Sequence, residues 1–146
     1  MLYTHNIPPE QNMLWAIKYM ALDLWAQRAL ERQLVKQGDV ITDVDVATEV
    51  ELVATEIYRD LLSKMDVGRF CTGAIFDNTP GGIRATELTT HRPLKSPPFS
   101  PQDRAWFRLL LPHLPRALGL MFRLDSARLP AEALLTYLDK LPLGIC

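Results

Sequence analysis

Cys71, Asp77 and His91 match in type a nucleophile, an orienting carboxylate and a general base. A cysteine becomes a competent nucleophile when a neighbouring imidazole takes its proton and a carboxylate holds that imidazole in place. The spacing here is that of a hairpin. Cys71 and Asp77 are an even number of residues apart in one extended run and so share a strand face, while His91 falls toward the far end of the returning run. Three such residues also arise in ordinary strands, so a small cytosolic hydrolase using Cys71 or His91 stands only as the alternative reading. His5, His91 and His113 show no pairing within a helical turn of the kind a metal site uses. The "TPGG" at 79–82 joins strand to strand, whereas a phosphate-cradling loop joins strand to helix. The expectation is a protein that is not an enzyme, with no metal and no cofactor.

The totals narrow the partners. With 16 basic and 17 acidic residues the chain has a formal net charge of −1, which carries no clustered cationic footprint for phosphates. At 48% hydrophobic residues there is apolar mass for a core. Cys71 and Cys146 lie far apart without metal-ligand spacing and read as free thiols of a reducing cytosol. The opening "MLYTHNIPPEQN" has no basic stretch followed by an apolar one, so no secretory signal is expected. The apolar runs are interrupted well before the roughly 20 residues of a membrane span. These features lead us to expect a cytoplasmic protein without membrane or nucleic-acid contacts.

Elements must then position the side chains. Apolar residues at helical spacing predict one helix over 10–38, stopped by Gly38. Trp15 and Tyr19, one turn apart, either pack in the core or wall a ligand cavity. A short β-like piece follows at 39–46, then a helix over 47–65 with Val50, Val53, Ile57, Leu61 and Met65 as its apolar stripe and Gly68 as its stop. "RFCTGAIF" at 69–76 and "IRATELTTHR" at 83–92, joined by "DNTPGG", predict a hairpin. After a proline-rich loop, Ser100, Pro101 and Asp103 predict a helix start, with cap, first-turn proline and first-turn acid in order. Trp106, Leu109, Leu110, Leu114, Ala117, Leu118, Met121 and Leu124 give that helix an apolar face wide enough to be covered from two sides. Pro112 removes a helical donor and predicts a kink. A last short helix is predicted at 130–142. The order argues an α+β fold with an antiparallel sheet, although two strands alone make a thin one.

"LTTHRPLKSPPFSPQDRAWFRLLLPHLPRALGLMFRL" at 88–124 resembles the end of the N-terminal sensor domain of LuxR-type helix-turn-helix transcriptional regulators. "TEIYRDLLSKMDVGRFCTGAIF" at 55–76 resembles the helix and first hairpin strand of those domains. "ALDLW" at 21–25 is similar to their "DPW" element, with Leu24 in place of proline, and "LLTYLDKLPLGIC" at 134–146 looks like their linker. The resemblance covers roughly residues 19–146. It implies a PAS- or GAF-like fold, an antiparallel sheet flanked by helices with a long C-terminal helix and a linker helix, that binds small molecules or mediates dimerisation. It implies a partial sensor domain over 1–120 and a helical linker over 121–146 toward a downstream module that this chain lacks, as in a truncated regulator. "FSPQDRAWFRLLL" superficially matches the opening of a DNA-reading unit, but Pro112 and Pro115 stand where its first helix would close and no polar recognition helix follows.

The function expected on this basis is a signal-sensing and dimerisation module of a bacterial transcriptional regulator, itself not DNA-binding, that works as a homodimer. A dimerisation protein indifferent to ligands is a further alternative. The candidate pocket comprises Trp15, Tyr19, Trp25, Tyr58, Phe70, Thr72, Ala74 and Phe76, where large and small side chains alternate along one strand face and could leave a cavity. The candidate interface comprises Trp106, Leu110, Leu114, Leu118 and Met121.

Overall fold

The structure is a computed structural model that describes residues 6–76, 86–122 and 124. Pro9 opens α1 (Pro9–Leu14), which continues as a π-helical turn over Trp15–Tyr19 and a 3-10 turn over Met20–Leu22. The single helix expected over 10–38 is broken at Asp23. Its backbone is extended (φ −69°, ψ 106°), and its carboxylate accepts the N–H groups of Trp25 at 3.0 Å and Ala26 at 3.2 Å as the N-cap of α2 (Leu24–Glu31). An acid that can satisfy two orphan donors competes with helix propagation through its own position. Gln33 leaves the helix in a left-handed conformation, φ 53°. Gly38 therefore does not stop this helix. At φ 88° it turns the chain into the sheet, and its N–H donates to the Ala74 carbonyl at 2.9 Å.

The helix expected over 47–65 is likewise divided. After β1 (Val40–Thr42) come α3 (Asp43–Val46), α4 (Glu49–Val53) and α5 (Glu56–Asp60), then a 3-10 turn over Leu62–Met65. Thr48 and Thr55 act as N-caps, accepting the N–H groups of Glu51 at 3.3 Å and Tyr58 at 3.2 Å. Each cap restarts the helix with a new phase, so the predicted stripe is only half right. Ile57 and Leu61 are buried, but Val50 is 76% exposed and Leu52 and Leu62 take the inward places. Asp66, left-handed at φ 54°, ends the last turn. Gly68 has another task, since a Cβ there would lie 2.6 Å from the Leu94 Cα and 2.7 Å from its N.

The hairpin forms as expected from β2 (Arg69–Phe76) and β3 (Thr86–Arg92). They run antiparallel from Arg69 opposite Arg92 to Ala74 opposite Glu87, with an irregularity before Phe76 pairs with Thr86. The strand order is β1-β2-β3, with Thr42 opposite Cys71 and Val40 opposite Gly73. The third strand lies in the piece at 39–46, which turns helical after Thr42.

β2 is the middle strand and is covered on both faces. Phe70 packs into the main core with Trp25, their ring centroids 4.8 Å apart, together with Tyr19, Val46, Ile57 and Leu61. The opposite face, bearing Cys71 and Gly73, meets α6 (Pro101–Leu110) and Leu111, the first residue of the 3-10 turn Leu111–His113. Leu111 fills the space above Gly73, where a Cβ would come within 2.7 Å of Leu111 Cδ2. α6 begins as the sequence predicts. Ser100 and Asp103 form a reciprocal capping box, and Pro101 sits in the first turn. The α-helical ladder gives way to the 3-10 turn at Pro112, which has no N–H to donate; residues 114–122 are helical again. The chain divides into two compact units, Met1–Pro112 and His113–Cys146. Asp77, the 77–82 turn, the helix expected at 130–142 and Cys146 lie outside the described residues.

Candidate functional site

The possible nucleophile and base are not brought together. Cys71 is opposite Thr90, while His91 is opposite Phe70, so the two side chains project from opposite faces of the sheet. Cys71 is 0% exposed, and burial pushes its thiol up to about 11. A thiol in that state is protonated at neutral pH. Among the described residues no group of three His, Cys, Asp or Glu side chains is placed to hold a metal ion. No helix of the described residues is long and apolar enough to cross a membrane.

Five of the eight pocket residues converge, and they do so by packing on one another. Tyr19, Trp25 and Phe70 belong to the buried core, with Trp15 and Tyr58 against it. Their polar tips are satisfied at its margin: the Trp15 indole N–H donates to Asp23 Oδ2 at 3.1 Å, and the Tyr19 hydroxyl donates to Asp60 Oδ2 at 3.2 Å. Farther along the same face of β2, the Thr72 hydroxyl shares a 2.8 Å hydrogen bond with Thr89 and Ala74 is buried; the register shifts before Phe76, which is half-buried. A shallow depression of about 380 Å³ opens beside Tyr58, lined also by Glu49, Asp66, Leu94 and Lys95. Its polar rim was not foreseen from the sequence.

An arrangement of charges recurs three times. The carboxylate of each capping box also receives an arginine from a distant element. Asp45, which accepts the Thr42 N–H at 2.7 Å, takes Arg104 of α6 at 2.9 Å. Glu51, which accepts the Thr48 N–H at 2.8 Å, takes Arg28 of α2 at 2.7 Å. Asp103, which accepts the Ser100 N–H at 2.7 Å, takes Arg92 of β3 at 2.8 Å, and the Arg92 guanidinium lies 3.9 Å from the Phe99 ring centroid. Each pair fixes where a short helix starts relative to a remote element. The Arg28 guanidinium and the Thr48 N–H hold the Glu51 carboxyl down at about 2, and the Ser100 N–H and Arg92 hold Asp103 at about 2. For Asp45 burial works in the opposite direction, but the Thr42 N–H and Arg104 outweigh it and lower its carboxyl. A buried cluster accompanies them: Arg69 donates to Asp43 at 3.1 Å, to Glu49 at 2.8 Å and to the Ser96 carbonyl at 3.4 Å. Its one signal in the sequence is an arginine, Arg69, opening a largely apolar strand.

α6 is consequently held to the sheet along one side, by Arg104 on Thr42 and Asp45, by Asp103 on Arg92 and by Leu111 on Gly73. Its other side is apolar and uncovered within its own unit: Trp106 is 62% exposed, Leu109 62% and Leu110 44%. Positions three and four apart on a helix share a face, so these three form a continuous patch. Leu114, Leu118 and Met121, the other candidate interface residues, lie in the helical stretch 114–122 of the second unit. No family model, no curated protein and no solved structure matches this chain.

Proposed function

We propose that this chain is the signal-sensing and dimerisation module of a bacterial transcriptional regulator, PAS- or GAF-like in fold, which meets a second copy of itself through the outer face of α6. The observation that carries this reading is the uncovered patch of Trp106, Leu109 and Leu110 on a helix whose inner side is clamped. A large aromatic beside two leucines is the composition of an interface centre. The resemblance of residues 88–124 to sensor domains supplies the regulatory context. In this mechanism a ligand that favours one arrangement of the sheet shifts the population of α6 orientations. The Arg92–Asp103 and Arg104–Asp45 pairs are the rigid links through which α6 follows the sheet.

The test is sedimentation of the wild type and of the Trp106→Glu/Leu110→Glu variant, with thermal melts alongside. Both side chains are exposed in the unit, so the substitutions leave its melting temperature nearly unchanged. A wild-type dimer and a folded monomeric variant support the reading. Equal masses for the two overturn it.

A further inference from the structure

We propose that β3 is a second homotypic docking edge, at which two copies pair antiparallel through residues 87–91 and join their sheets into one. β3 is bonded to β2 along its inner side, and among the described residues no strand pairs with its outer side. Glu87, Thr89, Thr90 and His91 are exposed. An unpaired strand edge is a template for another chain unless proline, lysine, a bulge or shortness blunts it. The segment "ELTTH" has no proline, glycine or lysine, and the irregularity of the β2–β3 pairing lies outside it, beyond Glu87.

The partner is a second copy because the segment is complementary to itself in hydrogen bonding, its carboxylate accepting and its imidazole donating. In an antiparallel pair, directly opposed residues share a sheet face. A two-fold pair of identical strands must therefore pass its axis through a residue, and the exposed segment allows axes at Leu88, Thr89 or Thr90. With the axis at Leu88, Glu87 meets threonine. At Thr90, His91 meets threonine and Leu88 meets arginine. Only the axis at Thr89 sets Glu87 against His91 of the partner subunit, and it does so twice, with Leu88 against threonine between them. The imidazole donates to the carboxylate in either of its protonation states. Glu87, Thr89 and His91 lie on one face, so the two Glu87–His91 hydrogen bonds flank a central threonine pair. This surface is separate from the outer face of α6. Two isologous contacts on different surfaces assemble copies beyond a dimer, as a closed dihedral set or an open chain, so solution mass distinguishes one contact from two.

Two experiments on the full chain test the proposal. The first is Thr89→Cys in a Cys146→Ser background under mild oxidation. Opposed Cα atoms in an antiparallel pair are about 4.5–5.5 Å apart, within disulfide reach, so a covalent dimer is expected. Thr86→Cys in the same background is the control, because in this register its two copies are displaced by roughly 20 Å along the strands and do not cross-link. The second is charge exchange read by sedimentation. Glu87→Lys and His91→Glu each weaken association on the order of tenfold, and the combined variant restores it. Equal cross-linking by both cysteines, or a combined variant no better than the single ones, overturns the β3 contact. An assembly sensitive to the exchange but indifferent to Trp106→Glu/Leu110→Glu supports β3 and overturns the α6 reading. The reverse pattern overturns β3 and keeps α6. A mass growing beyond dimer, with sensitivity to both sets, supports both contacts, and a wild-type monomer overturns both.

Discussion

Arg69→Met preserves much of the arginine stem while removing the guanidinium from a nearly dry cluster. The side chains of Arg69 and Asp43 are 11% and 5% exposed, whereas Glu49 is 53% exposed. The Glu49 limb is a half-solvated ion pair, worth about 0–1 kcal/mol. The Asp43 limb is different, because Arg69 is the partner of Asp43 Oδ2 and Oδ1 has no hydrogen-bond partner among the described residues. Removing Arg69 leaves a buried carboxylate with neither oxygen satisfied. Breaking a buried pair from one side costs about 3–5 kcal/mol. For a unit of this size that lowers the melting temperature by roughly 12–20 °C, taking about 4 °C per kcal/mol. Urea unfolding measures it as a lower midpoint with an unchanged slope. Because the cost comes from the stranded charge, Asp43→Asn added to Arg69→Met should recover about half of it, even though Asp43→Asn alone destabilises. If Arg69→Met lies within about 1 kcal/mol of wild type, or if the double variant is less stable than Arg69→Met, the stranded-charge argument is wrong.

Gly68→Ala drives a Cβ against the backbone of Leu94, which has no flexible end to move aside, and should cost about 1–3 kcal/mol in the same urea assay; a neutral result would show that the 93–96 loop yields freely. Asp103 and Glu51 have folded-state pKa values of about 2, below their unfolded ones, so the stability they contribute is present above the unfolded pKa and lost as pH falls through the folded one. Acid unfolding should therefore steepen from about pH 4 toward pH 2, and Asp103→Asn should flatten that limb; an identical acid profile for the variant would remove the Ser100–Arg92 account. In a Cys146→Ser background Cys71 should react with a thiol reagent only as fast as the protein opens, since it is fully buried and its thiol is pushed up to about 11. Stoichiometric labelling within seconds of mixing under native conditions would contradict the buried placement.

What could be read in the sequence was whatever short-range chemistry decides by itself. Ser100, Pro101 and Asp103 announce the start of α6 because cap, fixed φ and acid act within one turn. The hairpin of residues 69–92 is announced by two β-rich runs around a turn cluster, and Pro112 announces the loss of the α-helical ladder. The outward patch of α6 was legible for a similar reason, since periodicity marks an apolar face too wide for one contact.

Tertiary structure decided which of several permitted local choices prevailed. Asp23, Thr48 and Thr55 are tolerable within a helix and better as caps. Trp25 reaching Phe70 and Ile57 reaching the core select the caps, and both long helices break there. Strand register placed Cys71 and His91 on opposite faces, which a one-residue shift would have reversed. The residues expected to wall a pocket became core because Tyr19, Trp25 and Phe70 come from three elements that close on one another. Arg69 finds Asp43 across 26 residues and Arg104 finds Asp45 across 59. No local spacing encodes such pairs, because the partners become neighbours only when the sheet and its two covering layers have formed.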